Sequence, residues 1–299
     1  MSLKDRTPPT KEEYEGYRER FKNWGRWGPQ DEFGTLNFIT DETRKEAAGL
    51  VQLGRTVSCS DPLATQPGPR TPHPAQHYMK ISSHGSTDYV GAYYHGVSYT
   101  HLDALCHIFT DEGRLYGDRP STEVTSEGAR TCSVENWRNG IVTRGVLYDI
   151  PRLRKTDYVE PGAPVQAWDL EDAAAAQGIV PQAGDAVLVR TGKVPFLAAN
   201  PGAGMTNTPA VDASVLEFLH DTEAALFGAD MTEVRGGPLR LAIHGVTIPY
   251  MGLPLLDNAN LQMLSEVCAQ LGRWEFQFVI APLVVTGGTG SLVNPIAIF

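Results

Sequence analysis

Polar and apolar residues alternate in two regimes along this chain, and the change comes near residue 55. Before it, residues 11–22 (KEEYEGYRERFK) are polar with a few aromatic positions, which reads as a surface helix. Asp41 precedes Glu-Thr-Arg-Lys-Glu-Ala-Ala, an N-capped helix expected to run to about Gly54. Between them lies the Trp- and Gly-rich stretch 23–40, expected to be an ordered arm whose Trp24 and Trp27 anchor it to the core or, as the second reading, cover a pocket or a neighbouring subunit. From Thr56 short β-type runs take over: 56–59, 89–94, 140–150, 185–190, 224–228 and 276–285. Helical stretches at 169–177, 212–220 and 259–271 separate the later ones. Strands interleaved with helices predict an α/β architecture with a mixed sheet. No clear linker appears, so the expected organisation is an N-terminal helical extension over 1–54 and one domain over 55–299.

Composition narrows the function classes. The 299 residues are 41% hydrophobic and 20% charged, with a formal net charge of −10. No run of Lys or Arg stands out, so neither nucleic acid nor an anionic membrane surface is an expected partner. No apolar stretch approaches the ~20 residues that span a bilayer. The opening residues carry charge where a signal peptide needs an apolar core. Four scattered cysteines form no CxxC pair and suit a reducing compartment, so a cytoplasmic protein is expected.

The densest group of metal-competent side chains is His95-Gly-Val-Ser-Tyr-Thr-His101-Leu-Asp103-Ala-Leu-Cys-His107. On an extended backbone His101 and Asp103 share a face. A helix starting near Asp103 would bring His107 to the same side one turn later. An imidazole, a carboxylate and a second imidazole then converge, as a catalytic divalent ion requires. By spacing alone, Asp103 as a helix N-cap and the histidines as ordinary residues are equally good explanations.

The segment Thr100-His101-x-Asp103-x-x-x-His107 resembles the signature of the cyclase family, which includes arylformamidases such as kynurenine formamidase, and isatin hydrolase. Three further stretches fall in family order: 145–150, 184–192, and His244 followed by Gly252-Leu-Pro-Leu-Leu-Asp257-Asn-Ala-Asn-Leu261. The opening Trp24-Gly-Arg-Trp-Gly-Pro and Gly34-Thr-Leu-Asn37 resemble longer members with an N-terminal arm. The resemblance implies a swivelling β/β/α-type fold with a barrel-like mixed sheet, and a homodimer or homotetramer. It implies His101, Asp103, His244 and Asp257 as metal ligands, Asp257 standing where the family has Glu, and His107 as the proton-transfer residue. The metal would be Zn²⁺ or Mn²⁺, since His and carboxylate without thiolate suit both. The implied activity is hydrolysis of an amide, formamide, lactam or lactone bond in a small aromatic or cyclic substrate. A cyclase or lyase using the same site, and a metal-free binding protein, are the other readings.

Two departures from the family signature stand out. Val97 occupies the first His position and cannot coordinate. His95 has the right parity, but six extended residues cover about 20 Å at ~3.3 Å each, so it joins only if the strand bulges, for which Gly96 is suited. With fewer ligands, one ion is expected rather than two. Tyr89, Tyr93, Tyr94 and Tyr99 suit either a flat substrate or ordinary strand composition. Specificity is expected in the loops 61–85, 193–210 and 231–240. His73 and His77, His220-Asp221 and the turn 287–290 read as loop or helix-end features without a catalytic partner pattern.

Overall fold

The computed structural model describes residues 2–235 and 241–299. Nine strands pair in one open mixed sheet in the order 56–58, 296–298, 275–280, 141–149, 186–190, 226–229, 255–257, 101–103 and 290–292. The central pairs from 141–149 through 255–257 are parallel, and the flanking pairs are antiparallel. Helices between the parallel strands supply the crossovers that such pairs need.

Alternation along each strand sends side chains to two cores. Leu147, Leu188, Leu226 and Leu256 enter one, while Val146, Val187, Phe227 and Leu255 enter the other. This explains why the strands read as nearly continuous apolar runs: both faces are covered. The N-terminal residues belong to the same interior. Tyr14, Tyr17 and Phe21 pack in one core, Leu36 and Ile39 in the other. Thr10 and Glu13 form a reciprocal capping box that starts the helix Lys11–Arg20.

Strand His101–Asp103 carries Leu102 into the first core with no exposure. Burying that side chain contributes about 2 kcal/mol, and the period of two turns His101 and Asp103 to the opposite face. Several expectations shift in position. Residues 76–82 and 85–91 form an exposed hairpin, where most of that stretch reads as a loop in the sequence. The helix at 41 ends at Gly49, and residues 193–199 are helical. Part of the specificity loop, 236–240, lies outside the described residues.

Candidate metal centre

Sheet register assembles the site. Strand Leu255–Asp257 runs antiparallel to His101–Asp103, placing Asp257 opposite His101 and Leu255 opposite Asp103. Opposed residues share a face, so His101, Asp103 and Asp257 point into one space. Asp103 has no exposure and stands at the middle. The Nε2 of His101 lies 3.2 Å from its Oδ1, and the Nε2 of His244 lies 3.4 Å from its Oδ2. His244 opens a short helical turn, and its Nε2 is also 3.2 Å from Asp257 Oδ2.

His95 reaches the same carboxylate by a route that an extended reading of 95–103 does not allow. Only 101–103 is strand; residues 95–98 turn back on Gly96 at φ +123°, a left-handed conformation open to glycine. His95 Nδ1 then sits 2.8 Å from Asp103 Oδ1, and its Nε2 lies 3.0 Å from the Thr289 hydroxyl. Gly290 makes room: a Cβ there would come within 2.9 Å of the His95 ring and 2.4 Å of the Leu102 carbonyl. No helix begins at Asp103. A turn closed by the His107 N–H donating to Ala104 C=O at 3.0 Å brings His107 round instead. Its Nε2 is 4.0 Å from Asp103 Oδ1, and its ring stacks on His95 at 3.6 Å between centroids. Cys106 is buried facing the Gly288 carbonyl, away from the cluster.

Electrostatics show what the space is suited to hold. The Tyr99 carbonyl, 2.8 Å away, accepts from His101 Nδ1–H, which turns the Nε2 edge of the ring to Asp103. Asp103 Oδ2 is buried with no hydrogen-bond partner among the described residues. Burial alone would push His101 and His244 down, but Asp103 for the first, and Asp257, Glu233 and Asp103 for the second, hold both above the ordinary imidazole range. Asp103 and Asp257 are held low against their own burial, chiefly by His101 and His244 respectively. The cluster therefore calls for positive charge at its centre. Its donors form two groups, His95/His101/Asp103 and Asp103/His244/Asp257, with Asp103 common to both and the atoms of each group within 4.8 Å of one another. Nitrogen and carboxylate donors at this spacing fit a divalent cation.

His107 behaves differently. Burial first, then the neighbouring imidazoles against the pull of Asp103, push it down to about 4, so its ring is neutral near pH 7. It opens on a cleft of about 480 Å³ whose other walls include Lys11, Tyr14, Arg18, Phe109 and Tyr250. A larger cavity of about 660 Å³, between Pro8-Pro9 and residues 206–213, touches none of these donors.

The family model named Cyclase matches residues 52–234, more than half of the chain. The chain belongs to the cyclase family. A crystal structure described as that of a novel cyclase is 29% identical, with a TM-score of 0.85 over 94% of this chain and 99% of that one. Isatin hydrolase A from Ralstonia solanacearum is 21% identical with a TM-score of 0.54, covering 81% of this chain and 91% of its own. The Labrenzia aggregata isatin hydrolase A, solved with benzyl benzoate, is 19% identical with a TM-score of 0.57 over 84% of this chain and 94% of its own. At those identities the isatin hydrolases show the shared cyclase fold. Among curated proteins none matches.

All five sequence-identified donors, His95, His101, Asp103, His244 and Asp257, meet in one place, with His107 beside them. Tyr94 stands at the edge, its hydroxyl donating to the Gly290 carbonyl at 2.8 Å, whereas Tyr93 is 90% exposed and Tyr89 lies on the hairpin. Sequence reasoning did not find Glu233, 3.0 Å from His244 Nδ1, or Thr289. Thr289 lies in the turn 287–290 and Glu233 in the loop 231–240, and nothing in either stretch marks the one residue that reaches the site.

Proposed function

We propose that this cyclase-family chain is a metal-dependent hydrolase that cleaves an amide, formamide, lactam or lactone bond in a small aromatic or cyclic substrate. The observation that carries this reading is the convergence of buried acceptors around Asp103 beside a cleft that His107 faces. His101, Asp103, His244 and Asp257 would hold Zn²⁺ or Mn²⁺, with His95 taking the place that Val97 leaves empty. Bound there, such an ion supplies a Lewis acid that polarises a carbonyl and makes water more acidic.

The remaining chemistry belongs to the protein. His107 is neutral and close to the centre without being held in it, so it can take a proton from attacking water and return it to the leaving nitrogen or oxygen. The ring of His95, stacked on His107, fixes the plane of that base. Tyr14, Phe109 and Tyr250 give the cleft aromatic walls for a flat substrate. Within the N-terminal extension 1–54, the helix Lys11–Arg20 thus walls the cleft of the catalytic domain 55–299 through Lys11, Tyr14 and Arg18.

The test pairs elemental analysis with turnover of an aryl formamide, lactam and lactone panel by wild type and His107→Ala. The expected result is about one or more equivalents of Zn or Mn in both proteins and turnover in the wild type alone. Metal-free wild type would favour a binding protein, and equal activity in the variant would remove His107 from the reaction. Incorporation of ¹⁸O from water separates hydrolysis from a lyase or cyclisation.

A further inference from the structure

Glu233 belongs to neither donor group, yet it is buried to 5% exposure. Burying a carboxylate is costly unless it is paired and hydrogen-bonded, and both of its oxygens are committed to one short segment. Oε2 accepts the Ile243 N–H at 2.7 Å. Oε1 lies 3.0 Å from Nδ1 of His244, the next residue. The contact is an ion pair rather than an aligned hydrogen bond: neither Oε1 nor that Nδ1 has a hydrogen-bond partner among the described residues. The backbone of Glu233 is itself fixed, since it bridges to Val211.

The opposite edge of the same imidazole faces Asp103 and Asp257. A neutral ring that carries its proton on Nδ1, beside a carboxylate, keeps its Nε2 lone pair free. We propose that Glu233 is the positioning residue of His244: its charge, 3.0 Å away, holds the proton on Nδ1, favours the tautomer with a free Nε2, and keeps that nitrogen turned to the space shared with Asp103 and Asp257. This role rests on the metal-centre reading above. It differs from a purely structural one, in which Glu233 would only satisfy the Ile243 N–H and leave affinity for an ion unchanged.

A double-mutant cycle separates the two roles. Zn²⁺ and Mn²⁺ affinities would be measured by chelator competition for wild type, Glu233→Ala, His244→Ala and the double variant, with melting temperatures of the metal-free proteins alongside. The expected result is a 10- to 100-fold loss in Glu233→Ala, a larger loss in His244→Ala, and no further loss in the double variant. If Glu233→Ala does not fold, Glu233→Gln replaces it throughout. The amide has the same size but accepts only one of the two N–H groups, and its loss should again vanish in the His244→Ala background. Wild-type affinity in the Glu233 variant, or the same fold-loss with and without His244, overturns the role while leaving the metal centre standing. Wild-type protein that binds neither ion overturns the centre and this role together.

Discussion

On the long strand Ile141–Asp149, Arg144 meets Asp185 through two parallel bonds of 2.7 Å and Glu275 through a third of 2.8 Å. The Val180 carbonyl and the Gln182 N–H complete that group at 2.8 and 2.9 Å. Further along the same sheet, Asp103 and Asp257 share their space with three imidazoles, and a buried oxygen of Asp103 is left without a hydrogen bond. Both groups are ionic and largely withdrawn from water. The first closes on itself: a planar guanidinium fork matches a carboxylate, and its donors find acceptors. The second leaves a buried carboxylate oxygen without a hydrogen bond, which a folded chain maintains only at a cost. A buried cluster that completes its own bonding serves the fold, and one that leaves lone pairs converging is shaped for something that arrives later.

The contrast can be broken most directly at Asp103, the member common to both donor groups. Structural zinc sites bind with about 10–16 kcal/mol over four ligands, so Asp103→Ala should weaken metal binding by about 2.5–4 kcal/mol. Metal retained through gel filtration of that variant would end the comparison. At the self-contained cluster, Arg144→Ala strands Asp185 and should lower the unfolding free energy by about 3 kcal/mol, with metal content unchanged. Denaturant melts together with elemental analysis read both quantities.

Stripping the metal with a chelator should destabilise the protein, and restoring it at about 100 times Kd should return about 2.7 kcal/mol. Arg144→Ala should show the same gain on reloading, because its deficit lies elsewhere. His95→Ala removes a donor from one group only and should cost about tenfold in affinity, or about 1.4 kcal/mol. The smallest effect concerns the thiols. Burial pushes Cys132 up to about 11 and Cys59 and Cys106 up to about 12, so thiol reagents should react slowly whether or not metal is bound. A burst of Cys106 labelling on metal removal would reveal a thiolate ligand and redraw the second cluster.

What the sequence could show follows from range. His101, Asp103 and His107 lie within seven residues, so spacing alone brings them together, although through a turn rather than the expected helix. The central strands are legible because both faces are buried and apolar. Of the hairpin 76–91 only the end at 89–91 is legible, because both its faces are exposed and polar and apolar residues mix on each. His95 looks too distant on an extended backbone; the reversal at Gly96 is a backbone event that one glycine permits without announcing. Glu233 carries no local signal, since its value lies in the distance to a ring eleven residues on, set by packing.

Asp257 and His101 face each other on adjacent strands although most of the chain separates them. Closing so long a loop costs entropy before any contact repays it, and pairings of this kind form slowly. The centre therefore comes into being only when the sheet is nearly complete, and an ion cannot act as a template for the earlier steps. Zn²⁺ or Mn²⁺ added at the start of refolding should leave the main rate unchanged and slow only the reverse reaction, making the metal a latch on the finished protein.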